Sequence, residues 1–495
     1  MELKRYQLFI DGQFVEPVSR QWLETLDPYR GEAWAEIPRA SSADASIAVG
    51  CASRAMTEGP WATMSASERG RILHRLGDII DQNAEWLAAI EVRDNGKLYA
   101  EMLGQLRYNG NWWRYFGGLA DKIQGGVVPI DKADMFAFTD HQPVGVVAAL
   151  TAWNSPLLFV AWKCAAALAA GCAVVVKPSE FASASTLEFA ALTIEAGLPA
   201  GMFNVVTGLG QEVGAALVEH ADVAKVTFTG SDATGARVYE AAARSIKRIS
   251  LELGGKSPNI VFADADIDRA VVGVVSGIFA ATGQSCIAGS RLLVQEPIRE
   301  MFTERLLAVA REARLGDPMQ PGTDIGPVTT PAQYEKILAY MDIARTDGAR
   351  CILGGGTASG PGVTEGQFVQ PTIFTDVTND MRIAQEEVFG PILSIISFDD
   401  EADAIRKAND VIYGLAAGVW TSDIGRALRM TKALNAGTVW VNTYRALSYM
   451  MPFGGMKRSG VGRESGIDAI HEYLETKSVW ISTADGPPGN AFIMR

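Results

Sequence analysis

The sequence predicts an α/β protein built on parallel sheets, and three observations carry that prediction. Short β-branched apolar runs alternate with helical patterns from residue 144 onward. These runs are nearly continuous in apolar residues, as strands buried on both faces are. Polar residues and glycines gather just after each run, where open parallel sheets bind ligands. A chain of 495 residues also exceeds what one hydrophobic core supports, so two or more domains are expected.

Taken in order, the first 120 residues read as helix-rich. The segment "SERGRILHRLGDIIDQNAEWLAAIEVRDNGK" spaces its apolar residues for one helical face, with Ser67 as N-cap and Gly96 near the end. Strands follow at "VGVVAAL" (144–150), "AVVV" (173–176), "FNVV" (203–206), "KVTF" (225–228) and "RISLEL" (248–253), with helical patterns between them. The alternation resumes after residue 258 with "PNIVF", a helix from about 266, "RLLVQ" and a charged helix to about 314, which reads as a second α/β domain. The insert "DKIQGGVVPIDKADMFAFTDHQP" and the tail after His471 match neither rhythm; they read as paired extended arms whose edges meet another subunit. The end "STADGPPGNAFIMR" is too rich in glycine and proline to form a helix.

Composition removes several classes of function. A net charge of −13 opposes nucleic acid, which needs a basic face. Five cysteines, odd in number and thinly spread, argue against a disulfide framework and for a reducing compartment, the cytoplasm. The N-terminus has no apolar run long enough for a signal peptide. Residues 142–162 lack charge but are interrupted by Pro143, Asn154 and Pro156, and residues 270–290 read as a buried helix, so no membrane span is expected. The four histidines are far apart and no C-x-x-C or H-x-x-x-H pair occurs, so no metal site is expected.

One cysteine raises a chemical question. Cys286 lies in "TGQSCIAGSR", among small and polar neighbours with glycines at 283 and 289, whereas Cys164 and Cys172 sit in an alanine-rich apolar run. A serine hydrolase is not indicated there, since "GQSCI" lacks the second glycine of G-x-S-x-G.

The strand ends supply the rest. After the first strand comes "TAWNSP" with Asn154, and after the second "KPSE" with Lys177 and Glu180. The third ends in "TGLGQEVG", which contains Gly210 but misses the G-x-G-x-x-G spacing and by itself reads as an ordinary loop. The fourth ends in "FTGS", where Gly230 and Ser231 either present a helix N-terminus to pyrophosphate or form a plain N-cap. After the fifth comes "ELGGKSP", with Glu252 at its mouth. A carboxylate at Glu180 suits a ribose diol and repels a 2′-phosphate, which favours NAD over NADP, although Lys177 offsets part of that preference.

Together these motifs resemble the NAD(P)-dependent aldehyde dehydrogenase superfamily over essentially the whole chain. "WNSP", "KPSE", "FTGS", "ELGGKSP", "GQSC", "EEVFGPI" and "PFGGMKRSG" occur in the family's order, with its interval from Glu252 to Cys286. The resemblance implies two Rossmann-type parallel-sheet domains and an oligomerisation arm. The NAD-binding domain would take residues 1–121 and 145–252, the catalytic domain 253–456, and the arm and tail 122–144 and 471–495, in a homodimer or homotetramer.

The chemistry follows from the same residues. An aldehyde can expel hydride only after a nucleophile adds; a thiolate adds readily and leaves later from a thioester, which makes Cys286 the candidate nucleophile. The resemblance assigns the oxyanion to the Asn154 side-chain amide and the Cys286 backbone N–H. It assigns to Glu252 the base that activates water for thioester hydrolysis, a carboxylate that relatives passing the acyl group to coenzyme A typically lack. It matches Lys163 and Glu464 to a proton path around that base, although Lys163 would equally snorkel out of an apolar helix. Trp153, Glu387 and Phe389 match cofactor contacts, the last two on the nicotinamide side, where an alternative is a surface turn.

For the substrate pocket, the resemblance points to Trp112, Trp162, Ser285 and Ile287, with Met450 extending an apolar tunnel and Trp113 read as core. Arg445 has two readings: a cation that guides the carboxylate of a semialdehyde, or a solvated or subunit-bridging arginine. Two other classes of function stay open, a thiol esterase using the same cysteine and a silent NAD-binding structural protein. Retention of Cys286, Glu252 and Asn154 together argues against the second.

Overall fold

A computed structural model describes residues 3–360, 362–363, 366–485 and 492. Most of the tail beyond residue 485, including the glycine- and proline-rich end, lies outside the described residues.

The first sheet runs in the order Gly460–Val461, Arg248–Glu252, Val223–Thr229, Val146–Leu150, Val174–Lys177, Phe203–Val205, Leu8–Ile10 and Gln13–Val15. Its five central strands pair in parallel, and their valine- and alanine-rich sequences are buried on both faces. The chain turns one way from Val146–Leu150 through Val174–Lys177 and the other way to Val223–Thr229. A crevice therefore opens between the loops after residues 150 and 229, where such sheets bind ligands.

Beneath that crevice lies the helix Pro156–Ala170, apolar all round and almost wholly buried. Proline in its first turn and Gly171 at φ 101 set its ends. Lys163 is its one charged residue, and burial of the helix fixes that charge inside the protein.

The second sheet has the order Arg350–Leu353, Thr372–Thr375, Ile392–Phe398, Arg291–Gln295, Pro258–Val261, Ala416–Trp420 and Thr438–Val441. All its pairings are parallel except the edge strand Arg350–Leu353. The chain then returns to the first sheet, where Gly460 pairs with Glu252 and Val461 with Leu251, antiparallel. That return carries Glu464 to the base of the crevice. Met135–Pro143 and Leu474–Ser482 pair antiparallel over their full lengths, as extended arms, and leave Phe136, Trp480 and Ile481 exposed.

Two expectations are corrected. The first 38 residues hold strands, not helices; only from Ser42–Thr57 onward is the region helical. Leu8–Ile10 and Gln13–Val15 form a hairpin through Asp11 and Gly12, both at positive φ, and Asp-Gly between alternating apolar residues is the signal for that turn. The helix expected to start at Ser67 runs Ala66–Asn95 and is capped by Ser65, whose hydroxyl accepts the Glu68 N–H while the Glu68 carboxylate accepts the Ser65 N–H. Ser67 instead bonds Asp121. Gly96 ends the helix in the left-handed region, at φ 71.

Candidate active site

Cys286 sits where two cavities meet. The smaller, about 130 Å³, opens towards the first sheet, and the larger, about 450 Å³, towards the helix Tyr99–Leu119; Asn154, Phe159 and Cys286 line both. The cysteine is partly exposed, whereas Cys164 and Cys172 are fully buried.

The turn that carries it is held in an uncommon conformation. Ala281, Thr282 and Gly283 follow one another at φ 56, 55 and 66. A side chain at Gly283 would meet the Gly390 carbonyl at 2.2 Å, so glycine is required there. Three bonds from outside fix the turn: Ala281 N–H donates to Glu101 at 2.9 Å, the Thr282 hydroxyl to the Gly326 carbonyl at 3.1 Å, and Thr329 N–H to the Gln284 side chain at 3.0 Å. Burial, followed by the charges of Glu387 and Glu252, pushes the Cys286 thiol up to about 12, while Lys97 acts in the opposite sense.

Asn154 is buried, and its Nδ2 donates to the Gln284 carbonyl at 3.2 Å. Glu252, at the end of its strand, is 4% exposed, and neither carboxylate oxygen finds a hydrogen-bond partner among the described residues. Burial, and then the nearby Glu464, raise its carboxyl well above the usual range, with Lys163 and Arg463 opposing. Glu464 is itself buried, ion-paired with Lys163 and accepting from the Thr227 hydroxyl at 3.1 Å. The structure thus places Lys163 in a buried ion pair, not snorkelling to the surface. Lys163, Glu464 and Glu252 form one electrostatic group, of which Glu252 shares the smaller cavity with Cys286.

The smaller cavity gathers Trp153, Gly230, Ser231, Glu387 and Phe389. Phe389 packs edge-on against Trp153, with centroids 5.4 Å apart. Glu387 accepts the Gly255 N–H at 3.0 Å, and burial raises its carboxyl to about 7. A Cβ on Gly254 would meet the Glu387 carboxylate at 2.3 Å. The Ser231 hydroxyl caps the helix Asp232–Ala243 by accepting the Thr234 N–H at 3.2 Å. Lys177, Glu180 and Gly210 lie outside this cavity: Lys177 and Glu180 pair at 2.9 Å, and Gly210 is exposed at the start of a π-helical turn, Gly210–Gly214.

Trp112, Trp162, Ser285, Ile287 and Arg445 all line the larger cavity. Trp112 Nε1 donates to Ser465 Oγ at 2.8 Å, and the Trp162 ring lies 4.7 Å from that of Phe453. Trp113 is core, donating to Asn109 at 3.0 Å. Met450 does not extend the tunnel; it is 57% exposed and outside the cavity lining. Sequence reasoning passed over Gln333 and Lys336 on the cofactor side and Lys97, Glu101 and Gln105 on the other. All but Lys97 stand on helices, where one polar residue per turn looks like a solvated face. Among the described residues no cluster able to hold a metal ion occurs, and no helix is long and apolar enough to cross a membrane.

Two largely parallel sheets, a cysteine in a strained turn between two cavities and a buried carboxylate on the wall of one of them fit an enzyme of the aldehyde-oxidising kind. The chain belongs to the aldehyde dehydrogenase family, whose model matches residues 14–479. It is 44% identical over 494 residues to (Z)-2-((N-methylformamido)methylene)-5-hydroxybutyrolactone dehydrogenase of Acinetobacter baylyi, covering 100% of both chains. It is 45% identical over 484 residues to aldehyde dehydrogenase 1A1 of Gallus gallus, covering 97% of this chain and 94% of the relative. Among solved structures it is similar to betaine aldehyde dehydrogenase from Staphylococcus aureus in complex with NAD+, at TM-score 0.97 and 38% identity over 99% of this chain and 97% of that one. The NAD+ complex of an aldehyde dehydrogenase from Bacillus cereus matches at TM-score 0.95 and 41% identity, over 97% of each chain.

Proposed function

We propose that this protein oxidises an aldehyde to the carboxylic acid with NAD, by way of a thiohemiacetal and a thioester on Cys286. The observation that carries this reading is the shared wall: Cys286 and Asn154 face both cavities, so a substrate in one meets a cofactor in the other at the sulfur. The cofactor's residues fit that division. Trp153 and Phe389 offer an aromatic wall, Glu387 a carboxylate for a ribose, and Gly254 the space in which that carboxylate sits. Lys177 and Glu180, at the next strand end, would take the adenosine ribose, with Glu180 favouring NAD over NADP, while Gly210, Gly230 and Ser231 would border the pyrophosphate. NAD held by these residues would supply the hydride acceptor.

The chain's own residues do the rest. The Cys286 thiolate adds to the carbonyl carbon, and the new oxyanion receives hydrogen bonds from the Asn154 amide and the Cys286 N–H. Departure of hydride leaves the thioester. Glu252, both of whose oxygens are without a partner among the described residues, takes a proton from water as it attacks, and the carboxylic acid leaves with Cys286 again a thiolate. The proton then has a route through Glu464 and Lys163.

Residues 1–121 and 145–252 would form the NAD-binding domain and 253–456 the catalytic domain. The exposed Phe136, Trp480 and Ile481 on the paired arms fit a homodimer or homotetramer, and the low, odd cysteine count fits the cytoplasm. The larger cavity combines the rings of Trp112, Trp162 and Phe453 with Lys97, Glu101, Gln105 and Arg445. That mixture supports an aldehyde with an apolar stem and a polar end, and Arg445 gives a specific reading in which that end is a carboxylate.

The test is NADH formation with short and long aliphatic, aromatic and carboxylated aldehydes, using NAD and NADP, on wild type and Cys286→Ala. Turnover that requires NAD and Cys286 supports the reading. Ester hydrolysis without NAD, and no turnover of any aldehyde, would mark a thiol esterase instead; NAD binding with neither activity would mark a silent protein.

A further inference from the structure

Lys97 is a buried cation that the proposed mechanism does not use. It follows Gly96 at the end of the helix Ala66–Asn95 and is 3% exposed. Its Nζ donates to Ser155 Oγ at 3.2 Å, and Ser155 Oγ donates to the Asn154 carbonyl at 2.6 Å. Among the described residues no carboxylate lies within ion-pair reach of it; buried Lys256, outside this cavity, shares that state, whereas Lys163, Lys177 and Lys225 each have an ion-pair partner. A buried ammonium whose hydrogen-bonded partner is a neutral hydroxyl is expensive to keep, and the expense calls for an anion that exists at some stage of the protein's work.

Lys97 and Cys286 line the same cavity. The charged and titratable groups around Lys97 are Glu101 on the helix Tyr99–Leu119, Glu91 on its own preceding helix, Arg445 on the opposite loop and Cys286. Glu101 gives one oxygen to the Ala281 N–H, while its buried Oε2 has no hydrogen-bond partner among the described residues and does not reach ion-pair distance of Lys97. Around Cys286 stand the carboxyl groups of Glu387 and Glu252, each unfavourable to a thiolate when ionised, and Lys97.

We propose that Lys97 is a positioning residue which, held by Ser155, supplies the positive charge that stabilises the Cys286 thiolate against the two carboxylates beside it. This rests on the reading of Cys286 as nucleophile. Burial lowers the Lys97 ammonium to about 8, so near neutral pH it is charged, and its support fades at higher pH.

The experiment is the rate of Cys286 alkylation by iodoacetamide, followed on the Cys286 peptide by mass spectrometry from about pH 6 to about pH 10. Wild type is compared with Lys97→Gln, which keeps a hydrogen bond to Ser155 but loses the charge, and with Lys97→Arg, which keeps the charge. Lys97→Gln should slow alkylation near neutral pH about tenfold and move the profile to higher pH, with Lys97→Arg restoring most of the rate. A Lys97→Gln profile that superimposes on wild type would overturn the proposal. Should Lys97→Gln fail to fold, Ser155→Ala, which releases the ammonium, carries the same comparison: slower alkylation supports the proposal and an unchanged profile overturns it. Alkylation reads the thiol without turnover, so failure of the nucleophile reading would show separately, as NADH production surviving in Cys286→Ala.

Discussion

The Asn154 side chain donates from Nδ2 to the Gln284 carbonyl at 3.2 Å, which ties the loop after the strand Val146–Leu150 to the turn carrying Cys286. Under the proposed mechanism this bond holds the oxyanion donor in place before any substrate arrives. Preorganised donors of this kind are each worth about two to three orders of magnitude in kcat. Asn154→Ala is accordingly expected to lower kcat by that factor while leaving NAD affinity, measured by fluorescence titration, close to wild type. A fall in NAD affinity of similar size would place Asn154 in the cofactor site instead.

Glu252 is predicted to divide the reaction into its two halves. Glu252→Gln should form NADH in a rapid first turnover and then stall, because the thioester lacks its base. Stopped-flow absorbance with excess aldehyde reads the burst, and its absence would remove Glu252 from hydrolysis.

The same carboxyl carries a stability signature. Its pKa in the folded protein is raised well above 4.5 by burial and by Glu464. Between the ordinary value and the raised one, the unfolded chain has released its proton while the folded chain keeps it, so stability falls as pH rises through that window. Glu252→Gln does not titrate. It should therefore gain stability over wild type above about pH 5 and lose that advantage below about pH 4, as read from denaturant midpoints.

The ion pair between Lys163 and Glu464 is buried on both sides, at 0% and 2% side-chain exposure. Lys163→Met would leave Glu464 without its cation, and removing one partner of a buried pair costs about 3–5 kcal/mol. Urea unfolding near neutral pH should show a loss of that size. A loss below about 1 kcal/mol, the level of a surface pair, would mean that water reaches the site.

Arg445 lines the larger cavity, and its Nη1 donates to the Ser276 carbonyl at 3.2 Å. If its remaining donors receive a substrate carboxylate, Arg445→Ala should raise KM for carboxylated aldehydes about tenfold or more and leave neutral aldehydes of equal length unchanged. Equal effects on both would return Arg445 to a structural role.

The legible parts of the fold are those with a local signal. The strands around Val146–Leu150 and Val174–Lys177 read directly from apolar runs, and Gly96 from its place at a helix end. Cys286 stood out by its neighbours. Lys163 and Glu464 were matched through family resemblance alone, because nothing local links residues 301 positions apart; the antiparallel return at Gly460 makes that contact. The hairpin through Asp11 and Gly12 had a usable turn signal but short strands, and the Ser65 cap was hidden by a second serine two residues later. Lys97 and Glu101 were silent in sequence, since burial of a charge is decided by tertiary packing, here the closure of the helix Tyr99–Leu119 over the cysteine turn.

The central claim is that the acyl group passes through Cys286. Its most direct test is mass spectrometry of Glu252→Gln quenched shortly after mixing with NAD and an aldehyde. The account predicts an acyl adduct on the Cys286 peptide, heavier by the aldehyde less two hydrogens, in amounts equal to the NADH formed. NADH without that adduct, or an adduct on another residue, would contradict it.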